Sequence, residues 1–148
     1  MPDSPETSGI PARPDLKMGA IKRCLKDKSI LVVDDDPTWS GAMAKLLETL
    51  GASVNTTSNG ADCIRLLRGV RFDLILLDIM MPQLDGWDVF AMMKNTVPDR
   101  NIPVLILTGL DREGVAENLA RLPVQENQIL QKNSPPELIL QAIFKTFQ

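Results

Sequence analysis

Asp34, Asp35, Asp78, Thr108 and Lys132 are the residues of this chain whose types could do chemistry together, because they stand at or just past the ends of four short strand-like runs. Ile30-Leu31-Val32-Val33 runs into Asp34-Asp35-Asp36, Leu74-Ile75-Leu76-Leu77 into Asp78, Ile102 to Leu107 into Thr108, and Gln128 to Gln131 into Lys132. Carboxylates gathered in one place repel one another, and a nearby cation or a bound metal relieves that repulsion. An all-oxygen site that leaves the ion partly hydrated suits Mg2+. With the incoming charge neutralised, Asp78 can attack a phosphoryl group as a carboxylate nucleophile, while Lys132 offers a point charge and Thr108 a hydroxyl to its oxygens. No water-activating base is visible, and Met80 and Leu110, two residues beyond Asp78 and Thr108, are apolar, so the phosphate is expected to stay on. Each residue also has a plainer reading: Asp34 as a turn cap, Thr108 as a helix cap, Lys132 as a surface charge. Those readings do not explain why all five gather at the ends of four strands.

The chain contains no histidine. That excludes histidine general acid/base catalysis, Ser-His and Cys-His nucleophile pairs and most zinc sites. It also means that the chain carries no phosphohistidine of its own.

The elements that must position these residues follow from the spacing of apolar side chains. Runs of four or five apolar residues with no polar alternate face read as strands buried on both sides of a parallel sheet. Chemistry in such sheets gathers at the carboxyl ends of the strands. Ser29–Val33 is the first strand. Asp36 then caps a helix with Pro37 at its first position, Met43, Leu46, Leu47 and Leu50 on its apolar face and Gly51 at its end. Ala52 to Thr57 suits an edge strand, and Asn59-Gly60 opens a helix with Ile64 and Leu67 inward and Gly69 at its end. Beyond the central strand, Trp87 to Lys94 predicts a helix, and Asp111 to Leu122 a weak one interrupted by Gly114. Ser134-Pro135-Pro136-Glu137 predicts a capping box opening the last helix, faced by Ile139, Ala142, Ile143 and Phe147. This repeated β-α alternation implies an α/β fold, a parallel sheet with helices on both faces.

At 148 residues, with 44% apolar and 24% charged residues, the chain has room for one domain and a tail. The division expected is a leader over residues 1–28 and a folded domain over 29–148. Met1 to about Asp15, rich in proline and small polar residues, is expected to be disordered. Leu16 to Lys28 predicts a short amphipathic helix with Met18, Ile21 and Leu25 on one side and a basic surround, either packed loosely on the domain or free to dock elsewhere. A net charge of -3 argues against direct nucleic-acid binding. Cys24 and Cys63 show no metal-binding spacing, no apolar run reaches the length of a membrane span, and no signal peptide is recognised at the start, so the cytoplasm is the expected compartment.

From about Ser29 to Phe147 the chain resembles the receiver domain of two-component response regulators, of the single-domain type. The residues that carry the resemblance are Ile30 to Pro37, Asn59-Gly60, Leu77-Asp78-Ile79-Met80-Met81-Pro82 with Asp85-Gly86, Leu107-Thr108 and Lys132. The resemblance implies a flavodoxin-like, doubly wound sheet of five parallel strands in the order 2-1-3-4-5. It implies that Asp78 accepts phosphate from a phosphohistidine on a histidine kinase or histidine phosphotransfer protein. It further implies that Asp34 and Asp35 hold Mg2+ beside Asp78 with the Met80 carbonyl, that Thr108 and Lys132 sense the phosphoryl group, and that a downstream protein reads the result. Such a domain is a phosphorelay component and not an enzyme.

Two residues depart from the family's pattern. Asn133 stands where a proline in a cis peptide usually follows the lysine, so the loop that places Lys132 is expected either to be built differently or to carry a costly non-proline cis bond. Ile129 stands where the family usually has an aromatic. These departures keep open a second reading, a receiver-like module that binds proteins without being phosphorylated. A Mg2+-dependent phosphohydrolase is disfavoured, because the second aspartate such enzymes place two residues after the first is Met80 here.

Overall fold

Isolated apolar strands leave their backbone N–H and C=O groups without partners, and here they pair side by side. The computed structural model describes residues 14–79, 91, 102–109 and 129–148. In chain order these form α1 (Pro14–Leu25), β1 (Ser29–Val33), α2 (Pro37–Thr49), β2 (Ser53–Thr57), α3 (Gly60–Gly69), β3 (Leu74–Asp78), β4 (Val104–Thr108), β5 (Ile129–Gln131) and α4 (Pro136–Thr146). Of the helix expected over Trp87–Lys94 only Ala91 is described, and it is helical; the helix expected over Asp111–Leu122, the Met80 carbonyl and the first 13 residues lie outside the described residues.

The five strands make one parallel sheet ordered β2-β1-β3-β4-β5, the flavodoxin-like order expected. β3 and β4 are buried along their whole length, whereas the edge strand β2 buries only Thr57. The strand pleat sorts side chains into two cores. On one face Leu31, Val33, Ile75, Leu77, Val104 and Ile106 meet Cys63, Ile64 and Leu67 of α3. On the other, Ile30, Val32, Leu74, Leu76, Leu105 and Leu107 meet Met43 and Leu47 of α2 and Ile139, Leu140 and Ile143 of α4. Helices therefore cover both faces.

The local stops behave as their chemistry requires. The Asp36 carboxylate accepts the N–H groups of Thr38 and Trp39, and Asn59 Oδ1 accepts that of Asp62. Gly51, just past α2, has φ +105°, a conformation open to glycine. The capping box expected at Ser134 does not form. Pro135 occupies the N-cap, no side chain caps α4, and the Ser134 N–H is taken up by the Gln131 carbonyl at 3.0 Å. With two prolines in succession, the start of α4 has fewer N–H groups needing a cap.

The leader also differs in its packing. α1 begins at Pro14 and ends where Asp27 adopts φ +64°. Ile21 and Leu25 are fully buried within the α2/α4 core, while Met18, expected on the same apolar side, is exposed. The turn after α1 is tied down as well. The Asp27 N–H donates to the Gly51 carbonyl at 3.1 Å and the Ser53 N–H to the Lys28 carbonyl at 2.8 Å. At the other end of the chain, Lys28 Nζ sits 5.2 Å from the centroid of the Phe147 ring. The loose packing expected of this segment gives way to tight packing, because Ile21 and Leu25 find a ready apolar seam, worth about 1.5–3 kcal/mol for each buried side chain.

Candidate functional site

Strand register places the chemistry. Val33 pairs with Leu77, so Asp34, one residue on, reaches the level of Asp78, the last residue of β3. Asp78 pairs with Leu107, and Thr108, the last residue of β4, pairs with Gln131, which precedes Lys132. Asp34, Asp78 and Thr108 are buried, with exposures of 1%, 2% and 0%. Asp35 is less buried than the other two acids. One carboxylate oxygen from each of Asp34, Asp35 and Asp78 can be chosen so that all three lie within 4.8 Å of one another. The sheet thus brings together the five residues expected at its carboxyl edge.

Lys132 offsets this concentration of negative charge. Its Nζ lies 2.9 and 2.8 Å from the two Asp34 oxygens and 3.4 Å from Asp78 Oδ2. Burial by itself lowers the pKa of such an ammonium, but the hydrogen bond and charge of Asp34, then the charge and hydrogen bond of Asp78, outweigh it and hold Lys132 above its ordinary value. The lysine is therefore a fixed positive charge. Its backbone is fixed too, with the Lys132 N–H donating to the Thr108 carbonyl at 2.9 Å. The Lys132–Asn133 peptide is trans, since no cis bond occurs among the described residues, so of the two expected outcomes the loop is built differently.

The plainer reading of Asp34 is also partly realised: its Oδ1 accepts the Asp36 N–H at 2.9 Å, turning the chain into α2. One carboxylate both shapes the loop and faces the lysine. Its donor set, together with Asp35 and Asp78, is oxygen only, which fits a hard divalent cation.

Sequence reading gave no role to Trp39, which the structure places against Lys132. The indole Nε1–H donates to the Lys132 carbonyl at 3.3 Å, and Lys132 Nζ stands 5.5 Å from the centroid of the ring. The available signal was a large aromatic in the first turn of the helix that follows the acidic cluster.

With this geometry in view, comparison with known proteins gives a consistent answer. The response regulator receiver domain family matches residues 30–144. Response regulator MprA of Mycobacterium sp. (strain KMS) is 36% identical over 103 residues, covering 70% of this chain but only 43% of that protein. Among solved structures, a receiver protein from Sinorhizobium medicae aligns with a TM-score of 0.68 at 26% identity, covering 83% of this chain and 96% of that one. A response regulator from Burkholderia pseudomallei, solved with a phosphorylated aspartic acid, a calcium ion and citrate, aligns with a TM-score of 0.67 at 28% identity, covering 78% of this chain and 66% of that one. α1 lies before the matched region. No helix among the described residues is long and apolar enough to cross a membrane. From residue 30 to residue 144 this chain belongs to the response regulator receiver domain family, the phosphorelay module of two-component signalling.

Proposed function

We propose that this chain is a phosphorylated switch in which Asp78 accepts a phosphoryl group from a phosphohistidine on a histidine kinase or phosphotransfer protein and thereby changes its binding to a downstream protein. The observation that carries this reading is the cluster of Asp34, Asp35 and Asp78 at the sheet edge, with Lys132 Nζ set between Asp34 and Asp78. One structural neighbour carries a phosphorylated aspartic acid, which agrees with it.

In the transfer, an Asp78 oxygen forms a P–O bond as the P–N bond of the donor breaks. The bonding pair returns to the imidazole nitrogen, which takes a proton and leaves with the donor. Asp34, Asp35 and Asp78 would hold Mg2+, which supplies charge neutralisation at the phosphoryl oxygens. Lys132 adds a positive charge already held beside Asp78, and Thr108, at the end of the adjacent strand, offers its hydroxyl to the product. The signalling unit is residues 29–148, acting in the cytoplasm, with 1–28 an appended segment whose helix packs on it.

Intact-mass measurement after incubation with acetyl phosphate and Mg2+ tests the reading. A single phosphoryl adduct that requires Mg2+ is expected. Absence of any adduct would point instead to a module that binds its partners without phosphorylation.

A further inference from the structure

Trp39 reaches Lys132 in two places at once. The indole N–H holds the lysine's backbone carbonyl at 3.3 Å, and the ring lies beside its ammonium, 5.5 Å from centroid to Nζ. Trp39 is itself anchored, because its own N–H bonds the Asp36 carboxylate at 3.3 Å and Asp36 bonds Asp34 at 2.9 Å. The contacts close a ring: Asp34 to Asp36, Asp36 to Trp39, Trp39 to Lys132, and Lys132 back to Asp34 at 2.9 Å. The turn from Lys132 to α4 contains Asn133 and Ser134, and the Ser134 N–H donates to the Gln131 carbonyl at 3.0 Å. A lysine has four side-chain torsions and loses its reach if its backbone shifts by about an ångström.

We infer that Trp39 is a positioning residue for the phosphoryl-transfer site, fixing both the backbone and the ammonium of Lys132 so that its charge faces Asp34 and Asp78. The inference rests on the proposed phosphoacceptor role of Asp78. Neither contact depends on packing alone. The N–H bond is lost in Trp39→Phe, which keeps an aromatic face, and both contacts are lost in Trp39→Leu.

The test is a double-mutant cycle on the rate of adduct formation with acetyl phosphate and Mg2+, followed by intact mass. Trp39→Leu should slow the reaction about 10-fold and Trp39→Phe by less, the order expected for losing one cation–π contact and one hydrogen bond. In a Lys132→Ala background neither change should slow it further, because a positioning residue acts only through the group it positions. Losses that add in the two backgrounds, or a Trp39→Leu rate equal to the parent's, would overturn the inference. If Trp39→Leu does not fold, Trp39→Phe carries the same comparison. If Lys132→Ala reacts too slowly to time, Trp39 emission in a Trp87→Phe background decides it: replacing Lys132 should change that emission, and unchanged emission would overturn the inference. Failure of the phosphoacceptor reading looks different, since the parent protein itself would then form no adduct.

Discussion

Lys132 Nζ approaches both oxygens of Asp34, at 2.9 and 2.8 Å, more closely than it approaches Asp78 at 3.4 Å. The lysine thus neutralises mainly the acid proposed as a metal ligand and stays within reach of the proposed nucleophile. Removing it leaves three carboxylates together, two of them buried. Lys132→Ala should therefore destabilise the metal-free protein by about 3 kcal/mol, the scale for leaving a buried charge without its partner. Mg2+ should recover more stability in this variant than in the parent. Urea denaturation with Mg2+ and with a chelator measures both terms, and an equal gain in the two proteins would speak against a metal at Asp34.

The α1 helix offers a second check, now that Ile21 and Leu25 are known to be buried while Met18 is exposed. Leu25→Ala should cost about 2–5 kcal/mol, as other buried leucines do, and Met18→Ala less than about 0.5 kcal/mol. Equal, small effects in denaturant titrations would mean that α1 contributes little to the core. Removal of residues 1–28 is expected to leave a domain that folds but is weakened by at least the Leu25→Ala amount.

Cys63 predicts a pH dependence. Burial pushes its thiol up from 9.0 to about 12, so above pH 9 the unfolded chain loses a proton that the folded chain keeps. Stability from this group is complete below about pH 9 and falls as pH rises towards 12, by roughly 1 kcal/mol per unit. Denaturation midpoints at pH 8 and pH 10 should drop further in the parent than in Cys63→Ala. A matching drop in both would show that other groups dominate the alkaline response.

The strand ends were legible because each apolar run stops abruptly at a polar residue, and a parallel sheet turns those stops into one edge. Asp34, Asp78 and Thr108 could be picked out on that basis, with Asp35 and Lys132 each one residue beyond a strand's polar stop. Trp39 could not. Its partner lies 93 residues away, and nothing in the first turn of α2 says that β5 will end beside it. The packing of α1 was hidden for a different reason. Ile21 and Leu25 are two apolar residues in a basic segment, too few to distinguish a solvated helix from one that fits a seam between α2 and α4. The capping box at Ser134 failed because the pattern matches on residue type, whereas the Pro135-Pro136 pair shifts the helix start by one residue.

The most direct test of Asp78 as the phosphoacceptor is the mass of the protein and of its Asp78→Asn variant, side by side, after acetyl phosphate and Mg2+. The amide keeps the shape of the side chain but cannot serve as the nucleophile. One phosphoryl adduct is expected on the parent, none when Mg2+ is chelated and none on Asp78→Asn. An adduct that persists on Asp78→Asn would contradict that role by placing the acceptor at another residue.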